Sequence, residues 1–265
     1  MNFKQSDFSV SLIEDYYNHF NEDGRLETRH GKVEFATAIK YISDVLDNDK
    51  SKTILDIGAG TGKYSCYFDS LGYKVTAVEL VPKNIDVFKA KLSGVKIIQG
   101  NALDLSMFMD DSFDVTLLFG PMYHLLKEEE KLQALREAKR VTKTGGKILV
   151  SYYMNDFSVI EYAFVKGHIQ ESLDEGRLDE KFHIIPKEGD LYSMVRTEDI
   201  RRYSELAGLK RIKSIAQDGA SDYIRTAITR LSEKDFETYI KYHLSICERE
   251  DLLGASSHVL DILEK

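Results

Sequence analysis

Between Thr53 and Ser65 the chain reads TILDIGAGTGKYS: an apolar run ends in an acid, Asp56, and enters a turn with glycines at 58, 60 and 62. Alternating glycines let the main chain approach a bound molecule with no Cβ in the way, and they permit φ values that other residues resist. A helix starting there adds unpaired N–H groups and a positive dipole end. The chemistry is backbone recognition of an anionic or acceptor-rich group. A second acid, Glu79, ends the run VTAVE 21 residues after Gly58, where an acceptor-only carboxylate can take both hydroxyl protons of a ribose. Further on, Phe119-Gly120-Pro121-Met122-Tyr123-His124 follows another apolar run. His124 has the ordinary pKa, about 6.5, of a base near neutral pH, or it only orients and packs. Tyr123 can position a nucleophile or lie against a cation.

Spacing narrows the ligand. A dinucleotide turn, G-x-G-x-x-G counted from Gly58, needs its third glycine at 63, which is Lys63. A P-loop needs Ser or Thr after Gly-Lys, and Tyr64 stands there. The seven histidines show no H-x-x-x-H or H-E-x-x-H spacing, and His243 with Cys247 is a pair alone, so no metal site is expected.

These residues must be held by regular elements. Helices are expected at 7–20 and 33–47, with a polar link between, then strand 53–57, helix 62–71, strand 74–79, helix 82–91, strand 95–99, strand 113–119, helix 128–142 and strand 146–152. That alternation predicts an α/β, doubly wound, mostly parallel sheet, and runs such as VTLLF suit burial on both faces. Beyond 152 the pattern predicts a helix at 156–171 and two short β-like runs within 182–195. It then predicts a helix N-capped by Thr197, a strand at 209–216, helix from about 222 to 252 and a last strand in HVLDILEK.

The D-x-G-x-G-x-G pattern with Glu79 resembles the cofactor-binding core of class I S-adenosylmethionine-dependent methyltransferases, of the small-molecule or ubiquinone-biosynthesis-like type. The resemblance covers Thr53 to Val150 best. It implies a Rossmann-like, seven-stranded, mostly parallel sheet with an antiparallel last strand and helical lid insertions. It also implies an N-terminal helical cap over 1–50, a core over 51–152, a lid over 153–195, and the end of the sheet over 196–265 with a helical insertion at about 218–252. S-adenosylmethionine is the implied cofactor. Asp56 then lies near its amino group, Gly58, Ala59, Gly60, Thr61 and Gly62 along its cradle, and Glu79 and Leu80 at its ribose. Asn101, Ala102 and Leu103 meet adenine, and Phe119, Gly120 and Met122 lie beneath the sulfonium, with Tyr123 and His124 as catalytic candidates. Tyr16, Tyr17, Arg25 and Arg29 either close the pocket or pack at the surface, and Tyr64 packs nearby or in the core. One departure is the gap of some forty residues between the last two strands, where the family commonly has a short turn. The extra segments are read as a lid, with a homodimer interface or plain surface packing as the alternative.

A net charge of −8 argues against nonspecific nucleic-acid binding, and Arg201, Arg202, Lys210, Arg211 and Lys213, close in sequence, read as solvated helix and strand faces rather than as a basic patch. FGPMYH lacks the Asn/Asp-Pro-Pro-Tyr/Phe of exocyclic-base methylation. Two unpaired-looking cysteines, Cys66 and Cys247, a polar MNFKQSDFSV and no run near the roughly 20 apolar residues of a membrane span predict a cytoplasmic protein. The expected partner is a small-molecule methyl acceptor. An RNA or protein methyltransferase, or a non-catalytic protein that binds the cofactor, stays open.

Overall fold

Strands β1 (Thr53–Ile57), β2 (Lys74–Glu79), β3 (Lys96–Gln99), β4 (Phe113–Leu118), β5 (Thr142–Tyr153), β6 (Lys210–Ala216) and β7 (His258–Glu264) form one sheet in the computed structural model, which describes residues 7–265. The order is β3-β2-β1-β4-β5-β7-β6. The first five strands pair in parallel, and β7 runs antiparallel between β5 and β6. This is the expected doubly wound sheet with an antiparallel last strand. Alternate residues of its central strands enter two cores, one per face. Leu55, Leu118, Ile148 and Val150 join one, while Ile54, Val115, Leu117 and Leu149 join the other.

Helices α1 (Asp7–His19), α2 (Glu22–Arg25) and α3 (Arg29–Leu46) precede the sheet. Four more link its strands: α4 (Lys63–Ser70), α5 (Pro82–Lys89), α6 (Pro121–His124) and α7 (Glu128–Val141). After β5 come α8 (Asn155–Ser158), a π-helix over Val159–Val165, and α9 (Ile169–Asp174); α10 (Thr197–Leu206) leads into β6. Helices α11 (Arg225–Thr229), α12 (Glu233–Ile246) and α13 (Glu250–Leu253) separate β6 from β7, and Ile228 and Phe236 pack on Val33 of α3. Residues 1–6 of the expected cap lie outside the described residues.

Several expected elements differ. The helix at 33–47 begins four residues earlier because Thr28 caps it, its Oγ1 accepting from Gly31 N at 3.1 Å. The 156–171 helix is broken: it widens into the π-helix, and Gly167, at φ +81°, separates that from α9. The two β-like runs in 182–195 form no strand. Their backbone groups are satisfied singly instead, Val195 N by Tyr153 O at 2.9 Å and Ile184 N by Asn155 Oδ1 at 2.8 Å. Arg196, one residue earlier than expected, is the N-cap of α10, where its N–H donates to Asp199 Oδ2 at 2.9 Å. The single helix at 222–252 is three, with Ser232 restarting the chain as the N-cap of α12.

Candidate active site

A cavity of about 500 Å³ opens where the parallel strands end. The glycine turn supplies its floor, and each glycine there has a different reason. Gly58 at φ +74° donates to Val78 O at 2.8 Å, and a Cβ on it would sit 2.5 Å from Pro121 Cδ. A Cβ on Gly60, at φ +56°, would make ordinary contact with the Glu22 side chain, Cγ lying 3.5 Å away. Gly62 does not line the cavity; a Cβ there would run into the Phe88 ring.

Around this turn the structure gathers most of the expected residues. Asp56, Gly58, Ala59, Gly60, Thr61, Glu79, Leu80, Asn101, Ala102, Phe119, Gly120, Tyr123 and His124 all line the cavity. Leu103 and Met122 do not; both are buried in the core on one face of the sheet. Asp56 accepts from Ser65 Oγ at 2.6 Å, and burial pushes its carboxyl up to about 6. The Glu79 carboxylate accepts from Gly60 N at 2.8 Å, Val81 N at 3.0 Å and Asn84 Nδ2 at 3.2 Å. Burial still raises it, the hydrogen bonds offsetting only part of that. Asn101 Oδ1 accepts from Leu103 N at 3.0 Å, which forms the turn after β3.

The mouth is aromatic. Tyr16 and Tyr17 of α1 line it, as does Arg25, whose guanidinium holds Glu34 through bonds of 2.7 and 3.1 Å. Arg29 turns away, pairing with Glu233 at 2.6 Å and covering Phe236. Tyr64 lines the cavity with a buried hydroxyl that no described group bonds. His124 contacts two elements, Nε2 lying 3.1 Å from Tyr17 Oη and Nδ1 2.9 Å from Leu191 O. A carbonyl only accepts, so Nδ1 carries the proton and Nε2 takes the Tyr17 O–H. Burial lowers this imidazole to about 4. Tyr123 donates to Ser151 Oγ at 2.6 Å, and Ser151 in turn donates to Gln217 Oε1 at 2.7 Å.

At the far end lie residues that no local motif marks: Tyr153, Phe157, Tyr192, Gln217, Ser257 and His258. The His258 ring stacks on Tyr153 at 5.2 Å and lies 5.4 Å from Tyr123. Its Nδ1 is 2.7 Å from Asp218 Oδ2. Oxygens of Glu34 and Asp218 and a ring nitrogen of His258 lie within 4.8 Å of one another, a grouping brought from three elements that no linear spacing displays. Only the antiparallel course of β7 could have signalled it, since that puts His258 opposite Tyr153 at the cavity edge.

Comparison with known proteins agrees with this geometry. Residues 55–150 match the methyltransferase domain family. A demethylmenaquinone methyltransferase of Renibacterium salmoninarum is 34% identical over 115 residues, 43% of this chain and 46% of that protein. A ubiquinone/menaquinone biosynthesis C-methyltransferase of Klebsiella pneumoniae is 28% identical over 190 residues, 66% of this chain and 69% of its own. The chain thus spans less than half the length of the first of these relatives. In fold, it superposes on a SAM-dependent methyltransferase of Thermotoga maritima with a TM-score of 0.58 at 18% identity, over 97% and 99% of the two chains. No described helix is long and apolar enough to cross a membrane. The matched domain runs from β1 to β5, across the same glycine turn that floors the cavity, and for that part of the chain the similarities support the class I S-adenosylmethionine-dependent methyltransferase superfamily.

Proposed function

We propose that the chain transfers the methyl group of S-adenosylmethionine to a small, flat acceptor. The observation that carries this is one continuous cavity, which runs from the glycine turn to a wall of aromatic rings. Its first half fits the cofactor. Gly60 offers backbone with no Cβ between it and the cavity, and no described residue bonds the Tyr64 hydroxyl. Glu79 keeps acceptor capacity for ribose hydroxyls beyond its three protein bonds, Asp56 suits an ammonium, and Asn101 and Ala102 line the adenine side.

The cofactor supplies an electrophilic methyl carbon on a sulfonium. The protein's task is to hold the nucleophile in line, roughly 3 to 3.5 Å from that carbon, in a site cleared of water. Residues 7–50 and 153–195 act as the lid in this reading, through Tyr16, Tyr17 and Tyr192. His124 positions rather than abstracts: its only lone pair is given to Tyr17, and its low pKa makes it a weak base. The demethylmenaquinone and ubiquinone/menaquinone methyltransferase activities of the relatives support a flat acceptor, as do the rings of Tyr123, Tyr153 and Tyr192.

Calorimetry with S-adenosylmethionine tests the first half. Wild type should bind; Glu79→Ala should weaken binding by roughly 10- to 100-fold through loss of charge-assisted hydrogen bonds, and Gly60→Arg should abolish it. A wild type that does not bind ends the proposal. Radiolabelled cofactor with fractionated extract tests the second half, and label entering RNA or protein instead of small molecules would reassign the acceptor.

A further inference from the structure

We propose that His258, oriented by Asp218, is the general base at the acceptor end of the cavity, and that the acceptor presents an ionisable hydroxyl on an aromatic ring. This rests on the methyltransferase function proposed above. The placement comes from topology: β7 enters the sheet antiparallel, so its first residue lies at the edge where the parallel strands end, paired with Tyr153. Asp218, just beyond β6, is 2% exposed and fully committed to this residue and its neighbour. Its Oδ2 meets His258 Nδ1 at 2.7 Å, while Oδ1 accepts from His258 N at 3.0 Å and Ser256 Oγ at 2.6 Å. A carboxylate on Nδ1–H fixes the tautomer and leaves the lone pair on Nε2, which no described residue bonds, in a ring that lines the cavity.

The two cavity histidines are thereby opposed. The His124 lone pair is taken by Tyr17; the His258 lone pair is bonded by no described residue, and Asp218 stabilises the imidazolium. The charged and titratable groups facing His258 are Asp218, Glu34 and Arg25, with Asp222 and its neighbour His30 beyond and Tyr123 and Tyr153 against the ring. Burial lowers the His258 imidazole, but the Asp218 charge and hydrogen bond, aided by Glu34 against Arg25, hold it above its ordinary value. Glu34 is already held by Arg25 in a two-pronged pair, so a metal ion at this cluster would share that carboxylate with a guanidinium cation.

A base implies an acceptor that must lose a proton before it is nucleophilic. A neutral aryl amine brings its own electron pair; a ring hydroxyl does not reach full nucleophilicity until it becomes an aryloxide. The hydroxyl O–H bond breaks, its proton goes to Nε2, and the pair stays with the aryloxide. Attack through oxygen, or through a ring carbon ortho or para to it, forms the bond to the methyl carbon while the old S–CH₃ pair remains on sulfur. After carbon attack the ring sheds that carbon's hydrogen as a proton; in both cases the imidazolium proton returns to water. The rings of Tyr123, Tyr153 and Tyr192 form the slot for such a flat ligand.

The test uses 4-nitrophenol, whose phenol and phenolate absorb at different wavelengths, titrated into the full chain loaded with S-adenosylhomocysteine. In wild type the bound probe should ionise at a pH lower by about one unit or more than free probe, as beside a cation. His258→Gln should abolish that displacement and Asp218→Asn should reduce it. No binding of the probe, binding without displacement, or a displacement retained in His258→Gln overturns the proposal. So does a displacement that needs added Mg²⁺ and disappears with a chelator. Should the variants fail to fold, imidazole ¹⁵N spectra of wild type decide: Nδ1 protonated throughout with Nε2 titrating is expected, and the opposite tautomer overturns the assignment. Calorimetry of S-adenosylhomocysteine runs alongside, and its failure in wild type would count against the methyltransferase function, not against the dyad alone.

Discussion

Asp56 shows how a residue's neighbourhood sets its chemistry. It lies at the end of a buried strand, 1% exposed, with Ser65 as its one close donor, so burial dominates and its carboxyl titrates near 6. A cofactor ammonium needs the ionised form. Affinity for S-adenosylmethionine should therefore be full above about pH 6 and fall as pH drops through that value, and Asp56→Asn should make the fall shallower while weakening binding throughout. Calorimetry from pH 5 to 8 checks this; a pH-independent wild type would remove Asp56 from the cofactor's ammonium. Glu79, also raised by burial, accounts for the slope that remains in the variant. Residue types and spacing announced both acids, because each ends a strand whose apolar run is visible in the chain. They could not announce that Gly62 serves the Phe88 ring rather than a ligand, since that contact joins α4 to α5 across the fold.

Between elements, the segment after α9 is stitched to the one after β4. Ser193 N donates to Tyr123 O at 2.6 Å, Leu191 O meets His124 Nδ1, and Lys131 Nζ of α7 reaches Ser193 Oγ at 2.8 Å and also Leu125 O. Lys131 is 1% exposed, and burial lowers its pKa to about 8. A lysine with a depressed folded pKa leaves the unfolded chain binding more protons between about pH 8 and its ordinary value near 10.4, so stability should rise with pH through that window. Measured by denaturant unfolding, the stability of wild type relative to Lys131→Met should rise with pH through that window, the buried tyrosines contributing equally to both; parallel profiles would show that the ammonium is not desolvated. This stitching also explains why 182–195 forms no strand. Its apolar residues read as β-like, yet its donors are consumed one at a time by β5, α8 and the β4 exit. The break in 156–171 was hidden for a related reason: VIEYAFV keeps apolar residues at near-helical spacing, and spacing does not distinguish an α turn from a π turn.

Across the whole molecule, the edge formed by β6 and β7 carries the far end of the cavity. Arg211 binds Asp261 through bonds of 2.7 and 2.9 Å, and Asp261 is 0% exposed with Ser214 as a further donor. Arg211→Ala would strand a buried carboxylate and should cost about 3 kcal/mol of stability, measured by denaturant unfolding; a cost near zero would show that Asp261 is neutral in the fold. Four of the five basic residues that raised the question of a nucleic-acid surface are paired, Arg202 with Glu128, Lys210 with Glu264, Arg211 with Asp261 and Lys213 with Glu248, while Arg201 is exposed. What the sequence by itself determined is the half of the cavity at the glycine turn. There the ligand-facing groups are backbone turns and acids at the ends of consecutive strands, so hydrophobic period and glycine register locate them. Tertiary structure alone decided the far end of the cavity, which the proposed function gives to the acceptor. His258 and Asp218 stand forty residues apart, joined only because three helices intervene and β7 returns antiparallel beside β5, and no periodicity encodes a contact created by the direction of a strand.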